Sequence, residues 1–264
     1  MSYLYETHLH TCESSACAVS HGREYIKPYI DLGYTGVIIT DHFFRGNSRI
    51  DRSLPWRRWV EQFCRGYEET REEGERRGLD VFFGWEETYD GDDYLIYGLD
   101  KNWLLEHPEA ASWTRREQFA AVHRGGGCVV QAHPFRQHYY ISKIVLSTGC
   151  VDAVEAANAG NEDQSYDALA MRYAEKLSLP VSAGSDIHRA SDVTPDTTFG
   201  VYLEKKLSSI TDYVRAIREG AINKLKTSPG RCDNTFGLNV RLPVEIRDSD
   251  DRRVRQSLKD LLDL

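Results

Sequence analysis

His8 and His10 stand one residue apart near the start of the chain, and Asp186 and His188 repeat that spacing far downstream. On an extended strand, side chains recur on one face every two residues, so each pair offers two donors to one point. Asp41-His42, Glu86-Glu87, Asp93 and His133-Pro134 lie between them, each at the edge of an apolar run. Five of the nine histidines thus fall at expected strand ends beside acids. Neutral imidazole with carboxylate suits zinc, manganese or iron. The six cysteines form no C-x-x-C pair, which argues against a structural thiolate zinc site and, with no export signal, against disulfides. Any one of these motifs alone would be ordinary packing or a strand-ending turn. Together they point to a polynuclear metal centre.

Those residues need strands to place them. Short β-branched runs are expected as strands over 3–11, 36–43, 80–88, 94–99, 128–135, 153–158, 180–185 and 199–204. Amphipathic stretches are expected as helices over 24–32, 56–78, 113–123, 164–177 and 210–218, with a short one over 252–264. Trp56, Trp59, Val60, Phe63 and Tyr67 recur at helical spacing, as one buried face requires. Alternating β and α units imply an α/β fold built on parallel strands. A β/α barrel and a doubly wound open sheet both satisfy that pattern, and both carry their sites at strand C-termini. No glycine-rich phosphate loop follows any strand, which weakens the nucleotide-fold version. Beyond about residue 220 the periodicity fades, so 221–264 is expected as an extension, packed on the main domain or at an oligomer interface.

The ordered runs THLHT, ITDH, GWEE, QAHPFR and SAGSDIH resemble the motifs of the PHP (polymerase and histidinol phosphatase) family. The likeness spans residues 3 to about 205. It implies a distorted seven-stranded β/α (TIM-like) barrel over 1–220 and a phosphoesterase using two or three divalent metals. Carried over by position, His8, His10, Glu86 and Asp186 would hold one ion. Glu86 would bridge to a second, held also by His133 and by Asp93, which stands where many relatives have a histidine. His42 and His188 resemble ligands of a third. The chain departs from the pattern after THLHT, where it reads Cys12-Glu13-Ser14-Ser15-Ala16-Cys17. The customary further ligand of the third site is missing there, so that site is either completed by Glu13, Cys17 or His21 or left weak or empty, and two metals are expected.

Two ions sharing a hydroxide would supply a nucleophile at neutral pH and offset charge on a phosphate. Arg136, three residues after His133, is the candidate to orient that phosphate through a bidentate fork. Arg45, Arg189 and Asn158 are weaker candidates. Glu87 points to the opposite strand face from Glu86 and is expected to be structural. The expected partner is a small phosphorylated metabolite or nucleotide; the alternatives are a short oligonucleotide cut from its 5′ end and a non-catalytic metal-binding or regulatory module. The 264 residues carry 33 basic and 41 acidic side chains, a net charge of −8. That balance disfavours a broad groove for long nucleic acid but not a compact phosphate facing metals. With 41% apolar residues, no apolar run long enough for a membrane helix and no signal-like start, a cytoplasmic globular protein is expected.

Overall fold

The structure is a computed structural model that describes residues 2–233 and 239–263. Its strands are β1 (Tyr3–Leu9), β2 (Gly36–Ile39), β3 (Asp80–Tyr89), β4 (Asp92–Tyr97), β5 (Cys128–Gln131), β6 (Ile144–Ser147), β7 (Ala153–Asn158), β8 (Val181–Gly184), β9 (Gly200–Leu203), β10 (Lys224–Lys226) and β11 (Val244–Arg247). The helices are α1 (Gly22–Asp31), α2 (Trp56–Phe63), α3 (Arg65–Arg77), α4 (Lys101–Glu106), α5 (Arg115–Arg124), α6 (Gln164–Leu177), α7 (Ile210–Arg218) and α8 (Leu258–Leu262). Among the described residues no helix is long and apolar enough to cross a membrane.

One nine-stranded sheet runs in the order β10-β9-β1-β2-β3-β4-β5-β7-β8, and β6 pairs separately with β11. Seven of these strands, β1 to β5 with β7 and β8, curl into a distorted β/α barrel, as the motifs imply. The sheet has two strands beyond the seven that the resemblance implies: β9, which the sequence places over 199–204, runs antiparallel to β1, and β10, not expected, continues beyond it. The barrel is nearly closed where β8 meets β1. There the Asp186 N–H donates to the His8 carbonyl at 2.8 Å, and the Thr7 hydroxyl to the Ala183 carbonyl at 2.8 Å. The buried Glu6 carboxylate fastens this seam, accepting the N–H groups of Thr7, His8 and Ser185 and the Tyr29 hydroxyl.

The strands are not all parallel. β4 is antiparallel to both β3 and β5, joined to β3 through Asp90 and Gly91, which both adopt positive φ. Its first residues therefore lie at the same end as the C-termini of the parallel strands. The helix expected over 56–78 is two helices. The Ser14 hydroxyl donates to the Phe63 carbonyl at 2.7 Å, drawing that acceptor out of the helical ladder, and the chain turns at Cys64. Strands β1, β2 and β5 stop short of the expected ends, leaving His10, His42 and His133 in the loops that follow. The expected helix over 252–264 is reduced to α8; residues 234–238 and Leu264 lie outside the described residues.

Packing follows the sequence pattern. Trp59 and Phe63 of α2 are buried and stack with ring centroids 5.1 Å apart, and both meet Phe43 edge-on at 5.1 Å. Each such side chain, fully buried, contributes about 1.5–3 kcal/mol. This cluster pins the β2–α2 loop, which carries His42, against Trp85 of β3. In the C-terminal stretch, α8 joins the apolar cluster of Leu169 and Tyr173 on α6.

Candidate metal centre

At the C-terminal end of the barrel, the structure gathers all eight residues that the sequence marks as metal donors. His8, His10 and Glu86 form one close set; Glu86, Asp93 and His133 a second; His8, His133 and Asp186 a third; His10, His42 and His188 a fourth. Within each set the donor atoms lie within 4.8 Å of one another. Glu86, only 1% exposed, belongs to two of these sets, and its Oε1 faces a histidine of each. Oε1 stands 3.2 Å from His8 Nε2 and 3.3 Å from His133 Nε2, while Oε2 stands 3.5 Å from His10 Nε2 and 2.7 Å from His42 Nδ1. Asp186 Oδ1 lies 3.1 Å from His10 Nε2, and Asp93 Oδ2 4.0 Å from His133 Nε2.

Local structure accounts for these positions. His8 and His10 share a strand face across the β1 terminus. Glu86 sits in β3, its N–H donating to the Asp41 carbonyl at 3.0 Å and its carbonyl accepting from the Phe43 N–H at 2.7 Å, so His42 is held beside it. Asp93 owes its place to the reversed direction of β4. His133 and Asp186 both take positive φ, 27° and 56°. For residues other than glycine this conformation costs about 1 kcal/mol or more, and it turns both side chains inward.

A shell of hydrogen bonds fixes the imidazoles. His8 Nδ1 meets Glu155 Oε1 at 2.9 Å, and the other oxygen of Glu155 accepts from the His133 N–H at 3.0 Å and from Asn158 Nδ2 at 2.9 Å. His10 Nδ1 meets the Ser15 hydroxyl at 3.2 Å, which itself donates to Asp41 at 2.6 Å. His188 Nδ1 donates to the Asp186 carbonyl at 2.8 Å. In each case Nδ1 is engaged and Nε2 is left to act as a donor to an ion. Gly184 permits this closeness: a Cβ there would stand 2.4 Å from the His8 Cβ and 2.6 Å from Glu155 Oε1.

The electrostatics call for positive charge. Burial opposes ionisation of Glu86 and Asp186, yet His42 and His8 beside Glu86, and His8 and Arg136 beside Asp186, hold both carboxyls well below the usual range. Burial likewise opposes charge on His8 and His42; Glu155, Asp186 and Glu86 around the first, and Glu86 beside the second, raise both well above it. Burial, with His42 and His188 adding, pushes His10 down to about 3. His42 Nδ1 and Glu86 Oε2 are 2.7 Å apart but misaligned for a hydrogen bond, so both remain buried without a partner. Two donor atoms converging on a common point, rather than on each other, fit a shared cation. The donor set of five imidazoles and three carboxylates suits divalent ions.

Beside the cluster opens a cavity of about 680 Å³, lined by His42, Glu86, Asp93, His133 and His188 together with Cys17, Arg136, Tyr139 and Tyr140. The Arg136 fork is already engaged: Nη1 meets Asp186 Oδ2 at 2.7 Å, Nη2 meets Asn158 Oδ1 at 2.7 Å, and Nε meets Asn161 Oδ1 at 2.9 Å. Free bidentate capture of a phosphate, expected from the sequence, is not what this geometry offers; Arg136 braces Asp186. Glu87 lies on the opposite face of β3 and accepts from the Arg45 N–H at 2.9 Å. Burial pushes its carboxyl up to about 7, with Arg45 opposing. Arg45 is thereby tied to structure. Arg189 is 58% exposed, its nearest acidic partner being Asp192 at 4.0 Å. Glu155, Ser15 and Asn161 were not singled out from the sequence. Glu155 left one signal, a lone carboxylate in the otherwise apolar strand AVEAAN.

Residues 166–222 match the family model PHP_C, described as PHP-associated. No curated protein matches the chain. Among solved structures, the fold is similar to a two-domain protein containing a predicted PHP-like metal-dependent phosphoesterase from Bacteroides vulgatus. That match has a TM-score of 0.63 at 16% identity over 84% of this chain, which spans 63% of the other. It is also similar to a putative metal-dependent phosphoesterase from Bifidobacterium adolescentis, with a TM-score of 0.52 at 17% identity, covering 83% of this chain and 96% of that one.

Proposed function

We propose that the chain is a PHP-domain protein, a reading supported by its fold and its matched segment, and that it is a metal-dependent phosphoesterase. The observation that carries the reading is Glu86, buried and shared between the His8/His10 set and the Asp93/His133 set. Divalent ions bound there would supply the charge that ionises water near neutral pH and neutralises a phosphate oxygen. His8, His10, Glu86 and Asp186 hold one ion in this reading; Glu86, Asp93 and His133 hold a second; His42 and His188 face a third. Glu155 keeps His8 in the tautomer that presents Nε2, and Arg136 keeps Asp186 ionised and aimed. The metals are manganese, zinc or iron.

The substrate is a phosphate ester of a small metabolite or nucleotide, which the cavity beside the donors is large enough to admit. A second reading, cleavage of short oligonucleotides from the 5′ end, is favoured by Tyr139 and Tyr140. They are 92% and 60% exposed at the cavity rim, where a base could stack on them.

Protein loaded separately with manganese, zinc and ferrous iron is to be assayed against phosphomonoesters, nucleotides and 5′-phosphorylated oligomers. Metal-dependent release of phosphate supports the proposal, and progressive shortening from the 5′ end supports the second reading. Retention of about two metal equivalents with no turnover of any ester would leave a metal-binding module and overturn both.

A further inference from the structure

We infer that Cys17 is a ligand, joining His42 and His188 to form a thiolate–imidazole ion site at the mouth of the cavity. The inference rests on the proposal that the centre holds metal, and adds a donor that the imidazole and carboxylate set lacks. Three residues of the loop after β1 could supply a side-chain donor beyond Cys12. Two of them are turned away. Glu13 Oε1 lies 2.8 Å from His21 Nδ1, Glu13 Oε2 accepts from the Gly22 N–H at 3.2 Å, and Cys12 Sγ lies 3.4 Å from the same His21 nitrogen, so these three form a separate group. Cys17 instead lines the cavity together with His42 and His188.

Backbone hydrogen bonds hold the loop that carries Cys17 from both sides. The Ala16 N–H donates to the Asn47 carbonyl at 2.8 Å, and the Val19 N–H to the His188 carbonyl at 2.9 Å. Donor atoms of His42 and His188 lie within 4.8 Å of each other and of His10, whose ring stacks between theirs at 4.4 and 4.5 Å. With His188 Nδ1 bonded to the Asp186 carbonyl, its Nε2 remains for an ion. A second observation points to a cation on this side: Glu86 Oε2, in a side chain 1% exposed, has no hydrogen-bond partner and lies 2.7 Å from His42 Nδ1. Two imidazoles and one thiolate, with a fourth position open, is a catalytic-type zinc arrangement. A soft sulfur donor also favours zinc, cobalt or iron over manganese.

Apoprotein titrated with cobalt tests this without any substrate. The wild type is expected to develop a near-ultraviolet sulfur-to-cobalt charge-transfer band, and Cys17→Ser to lose it while retaining one equivalent fewer. Iodoacetamide should label Cys17, exposed while the other five cysteines are buried or half-buried, in apoprotein and not after zinc is added. Cobalt uptake with no sulfur band, or a band that survives in Cys17→Ser because Cys12 supplies it, overturns the inference. If no ion is retained at all, the metal reading falls with it. If the band appears but no ester is turned over, the site stands and only the phosphoesterase proposal fails.

Discussion

His8 Nδ1 and Glu155 Oε1 are 2.9 Å apart, and neither side chain is exposed. A carboxylate there accepts the Nδ1 proton and points the free Nε2 at the ion. In Glu155→Gln the amide can donate to Nδ1 and stabilise the opposite tautomer. Metal affinity is expected to fall about 10–100-fold with the fold intact. Competition with a chromophoric chelator measures it, and unchanged affinity would remove Glu155 from the centre.

Glu86→Gln keeps the volume but removes the charge that two donor sets share. Metal content after dialysis and ester turnover are both expected to be lost. Retention of two equivalents with full turnover would sink the bridging role.

Arg136 discriminates between bracing and substrate capture. Arg136→Lys keeps a charge but cannot reproduce contacts to Asp186, Asn158 and Asn161 together. Bracing predicts lower metal content and lower kcat. A raised KM with metal content and kcat unchanged would instead restore direct phosphate binding.

Ion uptake is expected to release protons. His8 and His42 are both held above the ordinary histidine range, so each must give up a proton when an ion binds. Apparent affinity should therefore rise with pH, and calorimetry of zinc binding in buffers of different ionisation enthalpy should show proton release near neutral pH. Uptake with no proton release contradicts the assignment of both residues.

Away from the centre, Asp167 supports the Asn158–Asn161 turn, accepting from the Asn158 N–H at 3.1 Å and from Asn161 Nδ2 at 2.7 Å. Burial raises its carboxyl from 3.8 to about 6, with Arg231 opposing. A folded pKa above the unfolded one makes its stabilising contribution complete below about pH 4 and lost as pH rises through about 6. That rise corresponds to about 3 kcal/mol. Urea unfolding at pH 4.5, 5.5 and 6.5 should show the advantage of wild type over Asp167→Asn shrinking with pH. An advantage that grows would mean that Arg231 outweighs burial.

Much of the centre was legible because a strand's two-residue period survives folding. His8 and His10, and the donor beside each strand end, could be read from spacing alone. Asp93 could be placed by its motif, but not explained, since the reversal of β4 depends on its pairing with β3 and β5. Glu155 was hidden for another reason: its partner His8 is 147 residues away, and only the barrel brings them together. Likewise β10 and β11 are three and four residues long, too short for their own periodicity to outweigh the neighbours they pair with. The break at Cys64 depends on Ser14, a residue outside the helix.

The seam between β8 and β1 has a consequence for chain entropy. His8 and Asp186 face each other across it, 3.6 Å between Nε2 and Oδ1. An ion gripped by both would act as a removable cross-link around a loop of 178 residues (186 − 8). A covalent tie closing a loop of that size restricts the unfolded chain by about 5 kcal/mol. A chelator would thus withdraw a fastening as well as a reagent, and stripped protein should melt earlier and be cut sooner by proteases where its two ends meet.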